Sequence, residues 1–184
     1  MPIFSAVPAV DCADPAAVQR LYEATGRAAL SKTEHVVGRF DVAQEIVQEV
    51  FLKLWRDKLR FPTEKQAYYW IYKACHNAGI DHLRTASVRL ERGAPGGEGV
   101  LGLDDFAAAA DLGDQNLKRQ LVSRALALAK LDEREAQVLG FWVLDGMTQE
   151  EIADLLDVSR KTIGRVVQRL EEKLSRFKEQ GDER

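Results

Sequence analysis

Apolar residues recur at helical spacing on both sides of a glycine-rich stretch in the middle of the chain. The clearest case covers residues 42–57, where one apolar stripe is formed by Ile46, Val47, Val50, Phe51, Leu54 and Trp55. Asp41 precedes this segment and is a suitable N-cap. Helical patterns also cover residues 16–38 and 64–85, and no segment shows the sustained period-two alternation of a strand. The pattern predicts an all-α protein.

The second half of the chain predicts four more helices, marked by start and stop signals. The first covers about residues 117–129, and Asp132 is a suitable cap for the second, which Gly146 ends. Thr148 and Glu151 form a capping-box pattern before a short helix over 149–156. After a tight turn, Ser159 caps a long helix that runs to about residue 178. The last two helices have the spacing of a helix-turn-helix, which presents its second helix to the major groove of DNA.

The composition changes between residues 93 and 116. Five glycines fall within the first ten residues of this stretch, which contains acidic residues but no lysine or arginine. Because glycine raises the entropy cost of ordering and like charges repel, the stretch is interpreted as a flexible linker. The alternative is an acidic strand that occupies a nucleic-acid path. The linker predicts two small helical domains, over residues 1–92 and 117–184.

Charge is distributed unevenly. The whole chain has a net charge of −3, which argues against a protein coated in positive charge. The predicted last helix, in contrast, has seven cations and two anions, which leaves +5. We expect Arg160, Lys161 and Arg165 to contact bases, while cations further along pass the phosphate backbone. The full set of candidate DNA contacts in this helix is Ser159, Arg160, Lys161, Thr162, Arg165 and Arg169, with Lys173 and Arg176 beyond them on the backbone.

Two other helix faces are candidates for binding. The 64–85 segment has four aromatic rings in five positions, and they span more than one helix face, so some of them must be exposed or at an interface. Exposed rings beside Lys73, Arg84, Arg89 and Arg92 would suit unstacked bases and phosphates. Opposite the apolar stripe of the 42–57 segment, one outward face carries Glu45, Gln48, Glu49 and Leu52. That face is either plain solvated surface or a docking surface for a basic helix of another protein.

Chemistry of other kinds is not indicated. The sequence has no catalytic constellation, nucleotide-binding motif or metal-ligand spacing, so we expect neither an enzyme nor a cofactor. Cys75 lies in an apolar helical segment, and a small buried thiol is the expected role. No leader pattern and no long apolar run occurs, which predicts a cytoplasmic protein that does not insert into a membrane.

Three segments resemble those of bacterial sigma factors of the extracytoplasmic-function (ECF) type, in the same order. Residues 42–55 (VAQEIVQEVFLKLW) resemble the helix that grips the polymerase clamp. Residues 69–84 (YWIYKACHNAGIDHLR) resemble the helix that follows, with Trp70, Asn77, Asp81 and Arg84 at its typical positions. Residues 131–174 resemble the promoter-binding C-terminal domain, although Gly164 and Val166 stand where the family commonly has cations.

The resemblance implies roles and partners. The partners would be promoter DNA and core RNA polymerase, met at its β′ clamp and β flap, with an anti-sigma factor as a further expected partner. Glu45, Gln48, Glu49 and Leu52 would bind the clamp, and the last helix would contact the −35 element. The residues implied for the −10 element are Tyr68, Tyr69, Trp70, Lys73, Asn77 and Arg84. The linker would run through the polymerase toward the RNA exit path.

Two other classes of protein compete with this interpretation. A helix-turn-helix regulator that does not join the polymerase would have an N-terminal sensing domain, and no α/β phosphoacceptor domain is apparent. A helical adaptor that binds only proteins would not need the basic last helix. Copurification with core RNA polymerase separates a sigma factor from both.

Overall fold

The described part of the chain is almost entirely helical. A computed structural model describes residues 10–91 and 113–182 of the 184-residue protein. Within these ranges the helices are α1 (Pro15–Val37), α2 (Phe40–Arg56), α3 (Glu64–Glu91), α4 (Gln115–Leu128), α5 (Glu133–Val143), α6 (Gln149–Leu156) and α7 (Arg160–Asp182). The predicted all-α class is confirmed.

One small sheet was not predicted. Strands β1 (Val10–Asp11) and β2 (Arg60–Phe61) pair antiparallel, with Val10 opposite Phe61. Cys12 extends the pairing by donating its backbone N–H to the Leu59 carbonyl at 2.9 Å. The prediction of no strands is wrong here because two-residue strands are too short to show an alternating pattern.

Contacts divide the chain into two compact units. The first comprises residues 1–34 and 39–78, and the second comprises residues 35–38 and 79–184, so the division falls within α3. The predicted domain boundaries at 92 and 117 stay a prediction. Most of the predicted linker, residues 93–112, lies outside the described residues.

The first unit has a core built from α1, α2, the β1–β2 pair and the beginning of α3. Leu54 and Ile71 are fully buried there, and Tyr22 packs edge-to-face on Phe51 with ring centroids 5.1 Å apart. The apolar stripe of α2 faces this core, with one exception: Trp55 is 53% exposed. At 100° per residue Trp55 lies at the edge of the stripe, so its ring extends along the surface.

The start of α2 also differs from prediction. The helix begins at Phe40, so Arg39 occupies the N-cap and makes no side-chain cap. Asp41 lies in the first turn, where its carboxylate accepts a hydrogen bond from the Arg39 guanidinium. That bond holds the pKa of Asp41 below its usual value. Asp41 therefore stabilises the helix start as an acidic first-turn residue rather than as a cap.

In the second unit, α5, α6 and α7 pack around a core that includes Phe141, Leu139, Ile152, Ile163 and Leu170. The predicted caps are confirmed: Asp132 and Thr148 each form a capping box, and Ser159 caps α7. Gly146 adopts a positive φ of 65° after α5. Other helix bounds also differ from prediction: α4 starts earlier, at an Asp114 cap, α3 continues to Glu91 and α7 continues to Asp182.

Candidate nucleic-acid interface

Helices α6 and α7 form a helix-turn-helix with a tight connection. Asp157 ends α6 in the left-handed conformation (φ 53°, ψ 50°), which Asp tolerates better than most residues. The Val158 N–H then donates to the Ala153 carbonyl at 3.0 Å. Ser159 Oγ accepts a hydrogen bond from the Thr162 N–H at 3.2 Å, which starts α7 at once. The turn therefore connects α6 to α7 within three residues.

The packing of α7 determines which side chains face outward. Ile163, Val166 and Leu170 are buried, whereas Val167 is only half-buried. Arg160, Lys161 and Arg165 are exposed, and none of them forms an ion pair with a described residue. We call these three residues the basic start of α7. They are available to an anionic partner near the helix N-terminus, where the dipole also favours negative charge.

Two predicted contact residues have a local role as well. The Ser159 and Thr162 hydroxyls are exposed but lie 2.9 Å apart, within hydrogen-bond distance of each other. Both take part in the cap of α7. Gly164 is half-buried, and a Cβ at this position would lie 3.8 Å from Gln149 Oε1, which is ordinary van der Waals contact.

The cations further along α7 have a partner that the sequence did not indicate. Glu135, on α5, is only 1% exposed, and its Oε2 lies 2.6 Å from Lys173 Nζ. Its Oε1 lies 3.4 Å from Arg169 Nε. Lys173 Nζ also donates to the Lys130 carbonyl at 3.4 Å. Lys173, which we expect from the sequence to pass the DNA backbone, has its ammonium against Glu135 and the Lys130 carbonyl. The side chains of Arg176 and Lys178 lie outside the described residues.

The aromatic helix α3 holds exposed and half-buried rings, which confirms the prediction that some of its rings are exposed. Tyr68 and Tyr69 are exposed, and Lys65 Nζ lies 5.4 Å from the centroid of the Tyr69 ring. Trp70 is half-buried and packs against Phe61, with centroids 6.1 Å apart. These two exposed rings are the ones accessible to a base.

The remaining predicted residues of α3 are less exposed than the two tyrosines. Lys73, Asn77 and Arg84 are all half-buried. Asp81 Oδ1 lies 3.9 Å from Arg84 Nη1, which confirms the predicted pair. The side chains of Arg89 and Arg92 lie outside the described residues.

The outward face of α2 is exposed as predicted. Glu45, Gln48 and Glu49 are exposed, and Leu52 at their centre is 51% exposed. Glu49 Oε1 lies 3.7 Å from Arg56 Nη1, a weak surface pair. We call these four residues the acidic face of α2.

Sequence reasoning missed an apolar groove beside this face, of about 570 Å³. The sequence contained one indication of this groove. Leu52 and Trp55 are large apolar residues, and a single buried stripe on α2 cannot bury both. The groove is lined by Pro15, Val18, Gln19, Tyr22, Gln48, Phe51, Leu52 and Trp55.

Within residues 10–91 and 113–182, no cluster of three metal-ligating side chains occurs. No helix in the same ranges is long and apolar enough to cross a membrane. Cys12 and Cys75 are both buried and form no disulfide with a described residue, and the burial of Cys75 is as expected. Burial raises the pKa of the Cys75 thiol to about 11.

Comparison with protein families gives two matches. The model of Sigma-70 region 2 matches residues 21–89, and that of Sigma-70, region 4 matches residues 127–175. Together they cover more than half of the chain. The chain belongs to the sigma-70 family. No curated protein is a significant match to this sigma factor.

The family match gives the two units a biological context. Sigma-70 factors are transcription initiation factors rather than enzymes, and their partners are core RNA polymerase and promoter DNA. The region 2 match contains the acidic face of α2 and the exposed rings of α3. The region 4 match contains the helix-turn-helix and the basic start of α7.

Proposed function

We propose that this sigma factor is of the ECF type and directs core RNA polymerase to promoters with specific −10 and −35 elements. The observation that carries the proposal is the basic start of α7. Three cations are exposed and form no ion pair with a described residue, at the beginning of the second helix of a helix-turn-helix. Such a helix enters the major groove with its N-terminal residues against base edges.

At the −35 element, Arg160 and Arg165 are the proposed base contacts, because a guanidinium can donate two hydrogen bonds to guanine O6 and N7. Lys161 and the exposed N–H groups at the start of α7 would hold a phosphate. The Ser159 and Thr162 hydroxyls flank this site. Because both residues are hydrogen-bonded in the cap of α7, they would act mainly by fixing the start of the helix rather than by contacting bases.

At the −10 element, the exposed Tyr68 and Tyr69 are the proposed stacking platform for an unpaired base. Trp70, the third ring of the proposed −10 set, is half-buried and packs against Phe61. Lys73, Asn77 and Arg84 follow on the same helix as proposed polar contacts. Because stacking requires an unpaired base, these residues would act after the promoter has begun to open.

The proposed contact with polymerase is the acidic face of α2, which would bind a basic surface of the β′ clamp. Two carboxylates with an exposed leucine between them give charge complementarity around an apolar contact. Contact of region 4 with the β flap, passage of the 93–116 linker toward the RNA exit path, a cytoplasmic location and control by an anti-sigma factor belong to the same proposal. They rest on the resemblance to ECF sigma factors.

A run-off transcription assay tests the proposal. Core polymerase with genomic promoter fragments is expected to produce discrete transcripts only when this sigma factor is added. The Arg160→Ala/Arg165→Ala variant should still bind core polymerase but lose −35-dependent transcripts. Equal yields of the same transcripts without the protein would refute the proposal, as would specific DNA binding with no association with core polymerase.

A further inference from the structure

The cations of α7 fall into two groups with different surroundings. The basic start of the helix is exposed and has no ion-pair partner among the described residues. Arg169 and Lys173 lie one and two helical turns beyond Arg165, on a stripe that drifts slowly around the helix. Both approach the carboxylate of Glu135, which is almost completely buried.

Each oxygen of the Glu135 carboxylate has a defined partner. Oε2 accepts hydrogen bonds from Lys173 Nζ at 2.6 Å and from the Asp132 N–H at 2.9 Å. Oε1 lies 3.4 Å from Arg169 Nε. The carboxylate thus completes the capping box of α5 and also joins α5 to α7. Moving either cation to a DNA phosphate would leave a buried charge less compensated, which is costly.

Arg169 and Lys173 differ in how exposed they are and in how firmly Glu135 holds them. The Lys173 side chain is 34% exposed and its ammonium also reaches the Lys130 carbonyl, so it is held at two points. Arg169 is 53% exposed and held by a single, longer contact. Arg169 is therefore the cation that a change at Glu135 would release first.

We propose that Glu135 is a positioning residue for promoter binding, whose buried carboxylate retains Arg169 and Lys173 and so confines DNA contact to the basic start of α7. The inference rests on the proposed −35 role of α7. It separates helix cations that contact DNA from those that fix the angle of the helix. Fewer phosphate contacts leave a larger share of the binding free energy to base contacts, which favours specific over non-specific sites.

The test is the salt dependence of DNA binding by the full chain. The probe is a fluorescent duplex of random sequence, titrated over a series of KCl concentrations. Glu135→Gln keeps an acceptor for the Asp132 N–H and removes the charge that retains the two cations. We expect the slope of log K against log salt to steepen by about 0.9 if Arg169 alone gains a phosphate, and by about 1.8 if Lys173 follows.

Matched variants isolate the cause. Glu133→Gln removes the same charge from an exposed site on the same helix turn and should leave the slope close to wild type. Adding Arg169→Ala to Glu135→Gln should remove the gain that comes from Arg169. A slope for Glu135→Gln equal to that of Glu133→Gln would overturn the inference.

A second variant keeps the inference testable if Glu135→Gln does not fold. Arg169→Ala alone should leave the slope of the wild-type chain unchanged, whereas a phosphate-bound Arg169 would flatten it by about 0.9. Arg165→Ala tests the DNA-binding role of α7 separately from the role of Glu135. If α7 binds DNA as proposed, this variant should flatten the slope or relax base preference. If Arg165→Ala has neither effect, or the wild-type chain binds no duplex, the proposed DNA role of α7 fails and this inference fails with it.

Discussion

Helices α2 and α7 of this sigma factor are both amphipathic, and their outward faces carry opposite charge. The acidic face of α2 has its carboxylates in solvent, with only a loose pair from Glu49 to Arg56. On α7, the basic start is equally exposed, but Arg169 and Lys173 further along meet the buried Glu135. The charges of the acidic face of α2 therefore pair with no buried group among the described residues, whereas two cations of α7 pair with a buried carboxylate.

The difference separates binding from stability. Charges on α2 can change without disturbing a buried group, so their substitution should affect only what binds there. On α7, neighbouring cations of the same helix should behave in opposite ways. Those at its start should affect DNA binding, and those near Glu135 should affect folding. Whole-chain charge, at −3, reveals neither surface.

The largest expected effect is on the acidic face of α2. The double reversal Glu45→Lys/Glu49→Lys should abolish detectable binding to core polymerase, because the surface would repel a basic clamp. The free energy of unfolding should stay within about 0.5 kcal/mol of wild type, since both side chains are exposed. Pull-down with core polymerase and urea denaturation measure the two quantities.

A matched control for this variant lies on α1. Glu23→Lys/Glu34→Lys makes the same charge change at two exposed positions on a different helix. It should leave polymerase binding unchanged. Equal loss in both variants would mean that net charge, rather than the acidic face of α2, governs association.

The next effect is on stability. Lys173→Met removes the nearer of the two cations from the buried Glu135 carboxylate and leaves the longer Arg169 contact to balance its charge, and should cost about 3 kcal/mol of unfolding free energy. Lys161→Met, an exposed cation on the same helix, should cost less than about 0.5 kcal/mol. Urea denaturation compares the two. Similar losses would show that the Glu135–Lys173 contact adds nothing beyond a surface pair.

A smaller effect, on DNA alone, is expected at the basic start of α7. Arg160→Ala or Arg165→Ala should weaken binding to a −35 duplex by about 1–3 kcal/mol and relax preference at one base pair, if the guanidinium makes a bidentate guanine contact. Binding to a library of −35 variants measures both. Base preferences identical to wild type in both variants would place sequence recognition elsewhere.

The smallest effect is at Gly164. Its backbone is helical, and an added Cβ would meet only Gln149 Oε1 at 3.8 Å, so Gly164→Ala is sterically allowed. Because alanine is the better helix former, unfolding free energy should rise by about 1 kcal/mol. Thermal unfolding of the variant beside wild type measures the change, and a fall in stability would show that the position is more crowded than its surroundings indicate.

Features encoded within a few residues could be predicted from the sequence. The caps at Asp132, Thr148 and Ser159 each depend on residues three apart, and all three form. Asp41 was assigned to the wrong role because a neighbour, Arg39, binds its carboxylate. The same local logic placed Trp55 in the core although it lies at the edge of the stripe.

Features that join distant segments could not be predicted. The spacing of Glu135 from Asp132 identifies it as the N3 residue of a capping box, but its partner Lys173 lies 38 residues away. The β1–β2 pair joins segments that are even further apart in sequence, Val10 with Phe61, through strands of two residues. In both cases the stabilising contact forms only when the chain folds and brings distant segments together. The spacing of apolar residues along the sequence therefore does not predict it.

The two buried thiols have a practical consequence for spectroscopy. Burial raises the pKa of Cys12, and that of Cys75 to about 11, so at neutral pH only about one Cys75 in 10⁴ is thiolate. The thiolate is the form that maleimides attack. A cysteine introduced at exposed Ser175 or Lys53 should therefore accept a fluorophore while both natural cysteines are retained. Labels on α7 and α2 would then report, in single molecules, the distance between the two surfaces as polymerase and promoter bind.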